Sequence, residues 1–177
     1  MIRQISLLTV LLWAGQALAD VPAPITIKGT ILEPVCTVTG EDGESPVNIS
    51  FGVVTVDAVG SAAAEQTIKL KVSCDNPAPM GKALKMYVHP ISNDKLTVAG
   101  ANVLGTSQNN LGIALTTGSD GSTPVNLDTW IPVVGVNTDV AEPVGLVVLK
   151  ARLVTPSMGS LLAGAFTSVA NLVMSYQ

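Results

Sequence analysis

The stretch Gly164-Ala-Phe-Thr-Ser-Val-Ala-Asn-Leu-Val-Met-Ser-Tyr-Gln177 runs on a period of two. Phe166, Leu172, Met174 and Tyr176 fall on one side, with Ser168 and Ala170 between them. Successive side chains of an extended chain point to opposite faces, so this pattern predicts a β-strand with one covered face. The same reading extends towards the N-terminus. Val144–Val154 is a long run rich in Val and Leu, and Leu111–Leu115 is almost continuously apolar, as a buried strand would be. Leu84–Val88 is mixed, while Ile68–Val72, Val47–Phe51 and Ile25–Ile31 alternate. Turn-forming clusters separate these runs: Glu41-Asp42-Gly43, Asp75-Asn76-Pro77, Gly118–Gly121 and Thr155-Pro156. Their Gly, Asn, Asp and Pro residues supply positive φ angles or a fixed φ. A helical period with caps is absent apart from a turn expected near 61–65. Short strands divided by turns predict an all-β sandwich.

The first residues are of another kind. Arg3 precedes the short apolar run Ile5–Trp13, and Ala17-Leu18-Ala19 offers the small-x-small pattern of a cleavage site. Residues 1–19 therefore read as a secretory signal peptide, too short in its apolar part to span a bilayer. The exported chain is expected to begin at Asp20, with no direct membrane insertion.

Composition narrows the class further. Hydrophobic residues make up 47% of the chain, charged residues 12% and aromatic residues 3%. A core of Val, Leu, Ile and Ala follows. The net charge is −4 and the pI about 4.7, which argue against nucleic acid or an anionic membrane as partner. So few charges suit a protein whose surface packs against neighbours. Cys36 and Cys74 are the only cysteines, and in an oxidising compartment a disulfide between them is the default.

Residues that would carry chemistry are scarce. His89 is the single histidine and is followed by Pro90 in a strand-like run. No Gly-x-Ser-x-Gly elbow or phosphate-binding lysine loop occurs. Asp120 and Asp128 flank a turn without the ligand series of a calcium loop. Asn48-Ile49-Ser50 fits a glycosylation acceptor by a tripeptide common by chance. The expectation is a protein that is not an enzyme and holds neither cofactor nor metal.

The two ends carry a resemblance. Ile25-Thr-Ile-Lys-Gly-Thr-Ile-Leu-Glu-Pro-Val-Cys36 resembles the N-terminal extension of chaperone–usher pilins, with alternating apolar residues, a glycine and then the first cysteine. The last strand is similar to theirs as well. Gly164 is fourteenth from the end, and Tyr176 is penultimate before Gln177. The resemblance covers residues 20–177 and points to a subunit like the minor or major pilins of type 1 and P pili. It implies an incomplete immunoglobulin-like sandwich over 35–177 that lacks its last strand, preceded by a donor-strand extension at 20–34. A periplasmic pilus chaperone, an outer-membrane usher and neighbouring pilin subunits are then the expected partners. The destination is the cell-surface fimbrium, and the function is structural, in support of cell adhesion. Ile25, Ile27 and Ile31 would fill a neighbour's groove, and Gly29 would pass where that groove is shallow. Gly164, Phe166, Leu172, Met174, Tyr176 and Gln177 would border this chain's own groove and pair with the chaperone. Two alternatives stand beside this reading. Residues 25–31 also fit an ordinary first strand, and the whole chain also fits a stand-alone secreted carbohydrate-binding or adhesin domain.

Overall fold

The computed structural model describes residues 36–118 and 120–177. The expected signal peptide at 1–19 and the extension at 20–34, with Ile25, Ile27, Gly29 and Ile31, lie outside the described residues. Two antiparallel sheets face each other. The larger contains β1 (Cys36–Gly40), β2 (Glu65–Cys74), β4 (Lys95–Val98), β5 (Ala101–Gly105), β6 (Gly112–Thr117), β7 (Thr123–Pro124) and β9 (Val144–Val154). Its order is β1-β2-β9-β6-β5-β4, with β7 also paired to β6. The smaller sheet holds β3 (Leu84–Pro90), β8 (Ile131–Pro132) and β10 (Ala170–Tyr176), in the order β10-β3-β8.

Period-two patterning fixes which sides meet. Leu70, Val72 and Cys74 of β2 and Val147, Leu149, Ala151 and Leu153 of β9 are buried. From the other sheet come Leu84, Met86 and Val88 of β3 and Met174 and Tyr176 of β10. Lys69, Lys71 and Arg152 alternate with these residues and point to solvent. Opposite charges pair across the outer face: Arg152 Nε donates to a Glu65 carboxylate oxygen at 2.8 Å, and Lys150 lies beside the same group. The hydrogen bond from Arg152 is the main cause holding the Glu65 carboxyl below its ordinary range. Cys36 and Cys74 face each other in the β1–β2 register and are joined by a disulfide.

Four local expectations need correction or addition. Val47–Phe51 alternates like a strand but joins neither sheet. The run from Phe166 enters its ladder only at Ala170. Both stretches lack a strand neighbour on one side, and alternation alone does not supply one. The β4–β5 hairpin was not visible in the pattern because its turn rests on Ala99 and Gly100, both at positive φ (50° and 82°). A two-residue turn of this hand favours Asn-Gly or Asp-Gly, and Ala is an unfavourable first residue there. The turn expected near 61–65 is a single 3-10 turn, Ala62–Ala64, whose Ala63 N–H donates to the Ser61 hydroxyl at 3.2 Å.

Candidate functional site

The last strand changes character along its length. Tyr176 and Met174 are buried, while Leu172, Ala170, Ser168 and Phe166 on the same face are only half-buried. At the C-terminal end Tyr176 lies under the β1–β2 corner, and its hydroxyl donates to the Asn76 carbonyl at 3.0 Å. Burial raises the pKa of that phenol. Towards Phe166 the covering layer stops and a cleft of about 700 Å³ begins.

One wall of the cleft is the extended segment 161–169. Its outer side is engaged at Leu162, Thr167 and Val169. The Val169 carbonyl accepts from the Ile91 N–H at 2.9 Å, and the Val169 N–H donates to the Ser92 hydroxyl at 2.8 Å. The Thr167 N–H and carbonyl both bond Ser107, each at 2.9 Å. Gln108 donates to the Leu162 carbonyl at 3.0 Å. In extended chain the odd residues thus face outward, and the backbone groups of Phe166 and Ser168 face the cleft. Those groups take no partner among the described residues.

The opposite wall is 49–56. Its internal bonds are local: the Gly52 N–H donates to the Ser50 hydroxyl at 3.2 Å. Phe51, Val54 and Val56 turn towards the core, while Val53 is fully exposed. Leu111, Leu153 and Leu161 lie between the walls, all buried side chains of the core cluster. Phe51 and Phe166 meet across the gap with ring centroids 5.9 Å apart and planes tilted by 55°. An extended stretch at 166–169 on one side and an irregular one on the other, bent at Gly52 (φ 64°) and entering a 3-10 turn at Val56, flank an apolar floor. The free backbone groups of Phe166 and Ser168 and the apolar side chains below leave a place for one more β-strand among the described residues.

Comparison with known proteins agrees with this geometry. The family described as "Fimbrial protein" matches residues 25–177. The chain belongs to the fimbrial protein family. Minor fimbrial protein PrsF of Escherichia coli is 31% identical over 127 residues, covering 72% of this chain and 70% of PrsF. The P pilus adaptor subunit PapF superposes with a TM-score of 0.55 at 24% identity, over 84% of this chain and all of that one. The P pilus rod subunit PapA gives 0.54 at 19% identity, over 87% of this chain and all of that one. These structures share the immunoglobulin-like pilin sandwich. The protein is a structural pilus subunit, and the fimbrial relatives are components of surface pili.

The expected groove-edge residues occupy one continuous run on this fimbrial subunit. Phe166 and Gly164 line the cleft, Leu172 follows, and Met174 and Tyr176 anchor the far end. A side chain at Gly164 would press on Gln108, whose Oε1 lies 3.3 Å from where a Cβ would stand. Gln177 continues the pairing with β3 through mutual backbone bonds to Ala83. Sequence reading missed the second wall, Phe51–Val56, and the floor residue Leu161. One signal was present: Met158–Ala163 is too apolar for a surface turn, and it holds Leu161 in the floor and Leu162 exposed at 73%.

Asp120 and Asp128, considered for calcium, serve other ends. The Asp120 carboxylate accepts from the Ser122 N–H and hydroxyl at 3.1 and 2.7 Å. Asp128 binds Lys95 Nζ at 2.8 Å, lies 2.6 Å from His89 Nδ1, and accepts from the Tyr87 hydroxyl at 3.2 Å. The hydrogen bonds from Lys95 and then His89 hold its carboxyl at about 2.

Proposed function

We propose that this pilus subunit is assembled by donor-strand exchange, with the cleft between 49–56 and 161–169 as acceptor and residues 20–34 as donor. The observation that carries the proposal is an apolar floor beside the backbone groups of Phe166 and Ser168, which have no partner among the described residues. A free domain with such a slot exposes core and invites edge-to-edge association. A periplasmic chaperone would cover the slot first, lending a strand along Phe166, Leu172 and Met174. At the outer-membrane usher the extension of the next subunit would replace it. Ile25, Ile27 and Ile31 of that extension would enter a neighbour's groove, with Gly29 passing above a shallow point. The role is mechanical and not catalytic.

The test is expression in the periplasm with and without a matching chaperone. With it, the chain is expected in a soluble one-to-one complex; without it, aggregated or self-polymerised. A stable, soluble monomer that ignores the chaperone would contradict the proposal. Deleting 20–31 separates the two roles: the truncated subunit should still bind chaperone yet fail to continue a fibre.

A further inference from the structure

The groove wall at 167–169 is not held by a strand neighbour alone. It hangs from the turn 91–94, which links β3 of the small sheet to β4 of the large one. Four groups of that turn reach the wall, among them the Ser92 N–H, which donates to the Val169 carbonyl at 3.4 Å. The Ile91 N–H and the Ser92 hydroxyl engage Val169, and Asn93 Nδ2 donates to the Thr167 carbonyl at 3.3 Å. The turn therefore holds the wall at Val169, while Ser107 and Gly105 hold it at Thr167 and Ser168.

One carboxylate grips the turn from both ends. Asp128 Oδ1 meets His89, two residues before Ile91, and Oδ2 meets Lys95, the first residue of β4. Asp128 is itself fixed. Its backbone has φ 58°, its N–H donates to the Val88 carbonyl at 2.9 Å, and the Tyr87 hydroxyl bonds Oδ1. The Tyr87 ring in turn packs against Trp130 at 5.2 Å between centroids. Asp and Asn tolerate this left-handed conformation better than other residues bearing a Cβ. Nothing in the fold of either sheet requires a carboxylate here, since β3 and β4 are each satisfied by their own ladders.

We propose that Asp128 is a positioning residue for strand capture, clamping the 91–94 turn through His89 and Lys95 so that Thr167 and Val169 keep the facing edge of the cleft extended and open. The proposal rests on the acceptor reading of that cleft. It explains why a polar cluster far from the cleft floor is built around one carboxylate with three partners. The depressed carboxyl keeps the clamp charged throughout the neutral range.

The test uses the full chain and the variants Asp128→Asn, Ser92→Ala and the double variant. Asn preserves the backbone geometry and removes the charge. Two quantities are read: hydrogen exchange at the Val169 amide, and the rate of uptake of a synthetic peptide of residues 20–34. Asp128→Asn is expected to speed Val169 exchange and slow uptake about fivefold, as the loss of a partly exposed charged contact allows. Ser92→Ala should act alike, and the double variant should be no slower than the worse single one, because both break one linkage. Unchanged Val169 exchange in Asp128→Asn overturns the clamp, as do effects that simply multiply. If the wild-type chain takes up no peptide, the acceptor reading fails, and Val169 exchange still decides whether Asp128 holds the wall.

Discussion

The two ends of β10 are built from the same alternation and meet opposite fates. At Met174–Tyr176 the inner face is roofed by the β1–β2 corner, tied by the Cys36–Cys74 disulfide, and the side chains are buried. At Phe166–Ala170 the same face looks into a slot, and its side chains are only partly buried. The difference lies in the neighbours and not in the strand. β2, next to the closed end, is paired on both sides by β1 and β9, whereas 49–56, next to the open end, pairs with nothing among the described residues. Among the described residues the domain is thus complete at one end and unfinished at the other. Under the donor-strand proposal, the unfinished end is where subunits join.

The closed end should carry most of the stability of the isolated domain. Replacing both cysteines by serine frees a loop of 38 residues, which lowers stability by about 4 kcal/mol in the loop-entropy model. Tyr176→Ala removes a buried ring and the bond to Asn76, and should cost about 3–5 kcal/mol. Both are read from denaturant midpoints. Losses under about 1 kcal/mol would mean the closed end is no firmer than the open one.

Changes aimed at the joint should spare the domain and weaken the fibre. Gly29→Leu adds a branched side chain to a segment that is solvated before exchange under the donor reading. Overpacking of this kind costs about 1–3 kcal/mol, and here it should fall on the exchanged complex. The check is chaperone displacement by peptides of residues 20–34 with Gly or Leu at position 29. A destabilised domain with normal displacement would instead place 25–31 in this chain's own sheet.

Phe166→Ala should cost the free domain about 2 kcal/mol, less than Tyr176→Ala, because the ring is only partly buried and the transfer gain scales with area buried. Assembly should suffer more than the midpoint does. Equal losses at Phe166 and Tyr176 would erase the contrast between the ends.

The smallest effect is pH-dependent. The Asp128 carboxyl is lowered from 3.8 to about 2 by Lys95 and His89. A depressed carboxyl favours the folded state fully above its unfolded value, and the benefit disappears as pH falls through the folded one. Wild-type stability should therefore decline between about pH 4 and 2 with a component that Asp128→Asn lacks. Parallel curves for the two proteins would show that the contact contributes nothing.

Much of this was legible in the residues themselves. Period two located Ile68–Val72 and the C-terminal strand, because alternation reports which face is buried, while Val144–Val154 stood out as a long apolar run and Leu84–Val88 as a mixed one. It did not report pairing: Val47–Phe51 and Ile68–Val72 look alike in sequence, yet one is central to a sheet and the other lies alone. Nor could it bring together residues distant in the chain. Phe51 and Phe166 meet across the slot, and Asp128 finds His89 and Lys95, only once two sheets are folded face to face. Leu161 was hinted at by the apolar run around it, but its place in the floor depends on β6 and β9.

Backbone exchange at Phe166 and Ser168 tests the central claim most directly. Their N–H groups point into the slot, whereas the Thr167 and Val169 amides on the outer side are already bonded. Hydrogen exchange is measured on the subunit lacking 20–31, refolded at low concentration so that no donor strand is present, and on fimbriae purified from cells. The account predicts fast exchange at Phe166 and Ser168 in the truncated subunit and strong protection in the fibre, with little change at Val169. Equal exchange at Phe166 and Ser168 in the two states would show that no strand enters the slot.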